Sequence, residues 1–209
     1  MSATNRTVVL ATRNQHKVQE IRALLVEMPM TFLSLTDFPD LPDVVEDGST
    51  CQENAVKKAK ETAAGTGHWA LADDTGLEVD ALDGRPGVCA ARYAGEGATY
   101  ADNCEKLLEE LQQIPAGQRA ARFLTVMVLS DPEGQTEVVE GELQGQITEQ
   151  FYGSHGFGYD PVFYVPKAKK TLAEMTLAEK NELSHRGQAL ILAKDLLKRR
   201  LEYTPSVGA

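Results

Sequence analysis

Two adjacent carboxylates, Asp73 and Asp74, follow the apolar run 69–72. Carboxylates at the end of a buried strand are costly unless a cation or hydrogen-bond donors compensate them. A strand alternates faces, so one can point into a cleft while the other caps a turn. Hard cations take carboxylate oxygens, and Mg²⁺ typically uses one or two of them plus substrate phosphates. The plainer reading is an Asx-type turn closing on Gly76. One aspartate would suffice for that turn, which favours chemistry. Glu46-Asp47, at the end of an acidic stretch, gains meaning only as a second carboxylate donor for the same metal.

Basic and aromatic groups recur at similar places. Thr12, Arg13, Asn14, Gln15, His16 and Lys17 lie where a strand pattern gives way to a helix start. Free N–H groups and the helix dipole favour a phosphate there. Thr12 and Asn14 add neutral donors, and Lys17 adds a charge one turn in. An ordinary N-cap with a solvated Lys17 is equally compatible. The P-loop pattern G-x-x-x-x-G-K-[ST] is absent. In Asn54-x-x-Lys57, Lys57 and Lys58 point in different directions on a helix, so at most one faces a given cleft. A solvated lysine is the commoner state. Gly156-Phe157-Gly158-Tyr159-Asp160-Pro161 lets backbone approach a flat ligand, with Phe157 stacking on a base, or forms a tight turn with core aromatics. Lys180 with Ser184-His185-Arg186-Gly187 sets a forked donor and an imidazole near a helix start, as ligands or as a cap with surface charges.

These groups need elements to hold them. Residues 8–11 and 32–35 have strand character, with a helix between them carrying Val18, Ile21, Leu24 and Leu25. Residues 37–49 form a long acidic surface loop. Thr50-x-x-Glu53 is a capping box for an Ala-rich helix over 54–64, where Ala55, Ala59 and Ala63 make a narrow face. Strands are expected at 69–72 and 77–81, then a turn at Asp83-Gly84 and a glycine-rich loop over 85–97. Thr99-x-x-Asp102 caps a helix with Leu107, Leu108 and Leu111. Residues 122–129 and 136–147 form a hairpin across a turn at 131–134. A short strand is expected at 161–165, an amphipathic helix at 184–200 and a loose tail at 203–209. Helices interleave with strands but one long hairpin is antiparallel, so the fold class is α/β with a mixed sheet.

The chain has 209 residues and a formal net charge of −10. That length suits one domain, or one domain in two lobes, over 1–209. The acidity and the lack of a Lys/Arg run of five exclude a duplex nucleic-acid surface and disfavour an anionic membrane. An anionic substrate would require the basic residues to gather in one cleft. Cys51, Cys89 and Cys104 show no C-x-x-C spacing, which points to a reducing compartment without disulfides or zinc. No secretory h-region and no apolar run near 18 residues appears, so a cytoplasmic protein is expected.

Five blocks, LATRNQHKVQEI, ENAVKKAK, LADDTGLEVDALDGRPGVCAARYAG, GFGYDPVFYVP and AEKNELSHRGQAL, span Leu10 to Leu190 in order. Together they resemble the inosine/xanthosine triphosphate pyrophosphatase family, which removes deaminated purine nucleotides. The resemblance implies an elongated mixed sheet flanked by helices, two lobes with a central active-site cleft, a homodimer and Mg²⁺ dependence. It implies cleavage of ITP, dITP or XTP between the α and β phosphates. Asp74 is then the catalytic carboxylate and a metal ligand, and Glu46 the second ligand. Thr12, Arg13, Asn14, Gln15, His16 and Lys17 contact the triphosphate, with Lys57 a further phosphate contact. Thr75 touches substrate, Phe157, Gly158, Tyr159 and Asp160 hold base and sugar, and Lys180, His185 and Arg186 complete the pocket.

The family often has glycine at the positions of Arg13 and His16, so a bulkier phosphate loop would shift the triphosphate or add a charge. Thr75 replaces a common serine and keeps the hydroxyl. With no G-x-S-x-G and no cysteine in the blocks' polar positions, water is the expected nucleophile. Asp74, or Asp73 beside it, would accept the proton. Three rivals stand beside this reading. One is a pyrophosphatase for modified pyrimidines. Another is an aspartyl-phosphate phosphatase, which expects a D-x-D order that DDTG lacks. The third is a non-catalytic nucleotide-binding module.

Overall fold

Consecutive β-branched residues, Thr7, Val8 and Val9, form the first strand. In a computed structural model, which describes residues 6–202, strand β1 (Arg6–Leu10) is followed by helix α1 (Gln15–Leu25) and strand β2 (Met30–Ser34). The expected loose tail at 203–209 lies outside the described residues. Helix α2 (Cys51–Thr66) and the long strand β3 (Trp69–Val79) come next. Strand β4 (Pro86–Gly87), helix α3 (Tyr100–Glu110) and strands β5 (Ala120–Ser130) and β6 (Thr136–Ile147) follow. The chain ends through β7 (Phe163–Val165), β8 (Lys170–Thr171), α4 (Leu177–Leu183) and α5 (His185–Leu197).

The strands hydrogen-bond in the order β2-β1-β3-β5-β6-β7-β8, with β4 beside β3. By its contacts the chain divides into two units. The first holds residues 6–74, 126–140 and 189–202 of those described, and the second holds 75–125 and 141–188. Strands β3, β5 and β6 and helix α5 each run from one unit into the other.

In the first unit β1 lies between two parallel neighbours. Val8 pairs in register with Phe32 of β2 on one side and with Trp69 of β3 on the other. Parallel crossovers are right-handed, and the chain moves outward from β1 to β2 and then back across to β3. Helices α1 and α2 therefore cover opposite faces of this sheet. The C-terminal ends of β1 and β3 form a topological switch point, where open α/β sheets leave a crevice for ligands. The α2 face Ala55, Ala59 and Ala63 is fully buried, as its small residues suggest. The α2 capping box closes between Thr50 and Glu53, and the helix ends on Gly67 at φ 66°. The core gathers Val8, Leu10, Ile21, Leu25 and Leu71 with Met127, Leu129, Ala193 and Leu196.

The second unit has its own core, built on Leu77, Val79, Leu107, Phe123, Tyr159, Phe163 and Leu172. Strand β4 pairs antiparallel to β3, and β6, β7 and β8 pair antiparallel in turn. The mixed α/β class matches the expectation from interleaved helices and one long hairpin. Thr99 and Asp102 form the expected capping box of α3.

Three local expectations are corrected. Residues 73–76 are not a turn, because β3 runs unbroken from Trp69 to Val79. Leu77 and Val79 bury their side chains on the same strand, and lysines compensate the two aspartates, so nothing requires the chain to bend. The strand expected at 161–165 begins only at Phe163, after a turn of 3₁₀ helix over Asp160–Val162. The last helix begins at His185 and passes into a π-helical turn, Lys198–Glu202. A separate short helix, α4, precedes it.

Helix α4 is held by a capping box between Thr176 and Glu179, and Glu179 also accepts from Lys170 Nζ at 2.9 Å. The Lys170 and Thr176 hydrogen bonds pull the Glu179 carboxyl down from its usual range to about 2. A depressed carboxylate stabilises the fold above its unfolded pKa, and that contribution is lost as pH falls toward the folded value. Glu179→Gln should lower the urea midpoint at pH 5, and the gap from the unsubstituted protein should narrow as pH falls from 4.5 toward 2. A gap that stays constant across that range would show that the carboxylate's charge does not matter.

Candidate active site

The switch point of the first unit is lined by charge. Extending the β1–β3 register by two residues sets Thr12 level with Asp73. Beyond β1 the chain turns through Thr12 and Asn14. Asn14 caps α1, its side-chain oxygen accepting from His16 N at 3.0 Å and Lys17 N at 3.4 Å. The first turn of α1 thereby brings Lys17 Nζ to 3.0 Å from Asp73 Oδ2. Asp74 emerges on the other face of β3 and meets α2. There Asn54 Nδ2 donates to Asp74 Oδ2 at 3.3 Å, and Lys58 Nζ lies 3.2 Å from Asp74 Oδ1. Lys58 also donates to the Asp73 carbonyl at 2.6 Å and to Glu46 Oε1 at 3.0 Å.

Lys58 is the node of this cluster, and α2 sends it inward while Lys57 points out to pair with Asp47 at 2.7 Å. Burial alone would depress the Lys58 pKa, but the pull of Asp74, Asp73 and Glu46 outweighs it and leaves the ammonium raised above its usual value. It is a fixed cation at any physiological pH. The acidic loop that delivers Glu46 is tied at two points. Gly48 N donates to Asn54 Oδ1 at 2.8 Å, and a Cβ at Gly48 would sit 2.7 Å from that same oxygen. Arg13 spends its guanidinium on the same loop, donating to Asp43 Oδ1 at 2.8 Å and to the Leu35 and Leu41 carbonyls at 2.5 and 2.6 Å. The extra charge expected in a phosphate loop is therefore turned toward residues 35–43. Gln15 donates at 3.4 Å to the Arg13 carbonyl, and His16 is exposed.

Lys17 and Lys58 face Glu46, Asp73 and Asp74 here, two cations against three carboxylates, a net of −1. Such a cluster repels a polyphosphate unless a cation joins it. Among the described residues no group of three or more His, Cys, Asp or Glu is arranged to hold a metal. Two carboxylates suffice for Mg²⁺ when phosphates supply further oxygens. Glu46 and Asp74 meet that need: both converge on one point, held by the Lys58 ammonium at 3.0 and 3.2 Å. The donor set is hard oxygen around a cation position, and it fits.

The second unit assembles the aromatic and basic group. Gly156 adopts φ 74°, and a Cβ there would lie 2.0 Å from Asp160 Oδ2. That space lets the Asp160 carboxylate accept from Phe157 N at 2.8 Å and from Lys180 Nζ, in the last turn of α4, at 2.5 Å. Lys180 Nζ stands 4.9 Å and the Arg186 guanidinium carbon 5.4 Å from the Phe157 ring centre. Arg186 Nη2 donates to Thr75 Oγ1 at 3.1 Å. Gly187 allows this helix start to press on α4, since a Cβ there would lie 1.9 Å from the Asn181 carbonyl oxygen. His185 is stacked on Phe123, with ring centres 4.3 Å apart. Tyr159 belongs to the core and donates its hydroxyl to the Ala90 carbonyl at 2.9 Å, while burial pushes its pKa up.

The expected residues thus form two groups. Thr12, Asn14, Lys17, Glu46, Asp73 and Asp74 line the switch point of the first unit. Thr75, Phe157, Asp160, Lys180, His185 and Arg186 gather in the second. Asp74 and Thr75 are consecutive on β3, so one peptide bond joins the groups. Asn54 enters the site as the motif with Lys57 suggests, but its lysine partner there is Lys58, which, like Thr125, the sequence does not single out for a site. For Lys58 the signal was the alternation of helix faces, which a sequence does not orient.

The Ham1 family model matches residues 8–196. A dITP/XTP pyrophosphatase from Geobacter sulfurreducens is 52% identical over 190 residues, covering 91% of this chain and 96% of that protein. A HAM1 protein from Coxiella burnetii superposes with a TM-score of 0.85 at 41% identity, covering 93% of this chain and 99% of the other. A nucleoside-triphosphatase / dITP/XTP pyrophosphatase from Mycobacterium abscessus gives a TM-score of 0.72 at 41% identity, over 90% and 98%.

Asp160 and Lys180 are both nearly water-free, with side chains 4% exposed. Asp160→Asn takes the carboxylate from beside the buried ammonium, and Lys180→Met takes the ammonium from beside the buried carboxylate, so each should cost about 3–5 kcal/mol in urea unfolding. Losses below about 1 kcal/mol in both variants would mean the pair is not buried as charge.

Proposed function

The chain belongs to the Ham1 family, and from that premise we propose that it hydrolyses deaminated purine nucleoside triphosphates, ITP, dITP and XTP, to the monophosphate and pyrophosphate. The observation that carries this reading is the cluster on β3. Two buried aspartates are held by lysines from two helices, and the next residue is hydrogen-bonded to Arg186. The first group needs a cation, and the second offers donors suited to a polar ring.

Glu46 and Asp74 would hold Mg²⁺, which when bound supplies charge neutralisation of the phosphates. Thr12 and Asn14 offer side-chain donors to phosphate oxygens at the dipole's positive end, where the His16 and Lys17 N–H groups already donate to the Asn14 cap. Lys17 and Lys58 stabilise charge that builds on those oxygens. Asp74, with Asp73 behind it, accepts a proton from the attacking water. Arg13 and Lys57, turned to Asp43 and Asp47, act on the acidic loop rather than on phosphate.

On the base side Lys180 and Arg186 only donate hydrogen bonds. A 6-oxo group can accept from them, whereas a 6-amino group sets donor against donor. A buried polar group without a partner costs about 1–3 kcal/mol, or about five- to 150-fold, a range in which tenfold rejection of ATP falls. Tyr159 and His185 support the pocket from the core, and Phe157 and Gly158 supply its loop.

Among the described residues no helix is long and apolar enough to cross a membrane. Cys51, Cys89 and Cys104 are free thiols, which suits a reducing, cytoplasmic setting. Exposed apolar side chains such as Ile191 and Leu192 of α5 are consistent with a homodimer.

A pyrophosphate-release panel over ITP, XTP, dITP, GTP, ATP and dUTP, with and without Mg²⁺, tests the assignment. Pyrophosphate should appear from ITP, XTP and dITP only with the metal, and ATP should be at least about tenfold poorer. Asp74→Asn should lower kcat by about 10²–10⁴ at saturating Mg²⁺. Inorganic phosphate in place of pyrophosphate, or equal efficiency on ATP and ITP, would overturn it.

A further inference from the structure

Thr125 lies in the middle of β5, fully buried in an otherwise apolar run. Its Oγ1 is 2.7 Å from Thr75 Oγ1, and among the described residues that is its one hydrogen-bond partner. Thr75 is half-buried and also accepts from Arg186 Nη2 at 3.1 Å. A hydroxyl has one proton to give and two lone pairs. Arg186 can only donate, so it takes one lone pair of Thr75. The Thr75–Thr125 bond can then be polarised either way. If Thr75 gave its proton to Thr125, the Thr125 proton would be left buried with no acceptor, which is costly. If Thr125 gives its proton to Thr75, both buried groups are satisfied. Thr75 then has both lone pairs engaged, and its own proton turns to the half-open side.

We propose that Thr125 is a positioning residue that fixes the proton direction of Thr75. It makes Thr75 a hydrogen-bond donor to a substrate oxygen beside Arg186. The inference rests on the nucleotide reading above and deepens it. Arg186, Lys180 and Thr75 then all present donors, a set that suits an oxo group better than an amino group. Thr125 touches no substrate and acts only through Thr75.

Thr125→Val keeps the shape and removes the proton, and Thr125→Ser keeps the proton. Thr125→Val should raise KM for ITP about three- to tenfold, with kcat within about twofold, and should narrow the ITP-to-ATP preference. Thr125→Ser should stay within about twofold of the unsubstituted enzyme. An unchanged KM in Thr125→Val, or equal effects of Val and Ser, overturns the proposal. Proton NMR of the unsubstituted protein supplies a readout that does not depend on turnover. A slowly exchanging hydroxyl proton correlated with the Thr125 methyl, lost in Thr125→Val, is expected. The same signal on Thr75 instead would show the opposite polarity and reject the proposal. If the unsubstituted protein released no pyrophosphate from ITP, the functional reading would fail, while the NMR result would still decide the proton's direction.

Discussion

Two neighbouring carboxylates on a strand point to opposite faces of the sheet, so Asp73 and Asp74 each need a partner on their own side. Both are buried, and a lone buried charge is among the most destabilising things a fold can contain. The first unit meets this demand through its winding. Right-handed crossovers put α1 on one face of the β2-β1-β3 sheet and α2 on the other. Each helix then contributes one lysine, Lys17 from the first turn of α1 and Lys58 from the middle of α2. The placement of both helices, the cap at Asn14 and the small-residue face of α2 serve this pairing. If Ala55 or Ala59 were larger, α2 would stand off and Lys58 would lose Asp74.

The same pairing sets the electrostatic task. A site that balances two ammoniums against three carboxylates is stable without ligand and slightly negative. It therefore does not attract a polyphosphate by itself, and the whole chain at −10 adds no help. A divalent cation reverses the local sign. Lys58 meanwhile holds the carboxylates in place, so metal binding does not have to order them. An acidic surface is compatible with an anionic ligand when the opposing charge is organised within a few ångströms, where solvent screens it least.

Elements whose signal is local were legible in the sequence. Thr50-x-x-Glu53 and Thr99-x-x-Asp102 announced helices that begin one residue after each threonine. The alternation over 136–147 matched β6 end to end. What failed needed tertiary information. Asp73-Asp74-Thr75-Gly76 has turn composition, yet two lysines from distant sequence make it strand. Helix α4 has only seven residues, too few for periodicity, although its Thr176-x-x-Glu179 cap was present to be read. Lys57 and Lys58 are equivalent until α2 is docked. Arg13 looked like a phosphate ligand because its acceptors, the Leu35 and Leu41 carbonyls and Asp43, are invisible before the chain folds back. Thr125 sits inside an apolar run, where its hydroxyl looks like a β-branched filler.

Rigidity around Lys180 and Arg186 follows from glycines rather than from large contacts. At Gly156 a methyl group would displace the Asp160 carboxylate, and at Gly187 it would collide with the Asn181 carbonyl. Each absent side chain lets a backbone or carboxylate close on its neighbour. The cations Lys180 and Arg186 are thereby held against the Phe157 ring with little freedom to retreat. Selectivity by hydrogen-bond polarity depends on that. A flexible lysine could swing away from a 6-amino group and let water fill the gap, which would erase the penalty. A lysine bound to Asp160 in a water-free setting cannot, so on the proposed assignment a mismatched base would meet the cost of an unpaired buried donor.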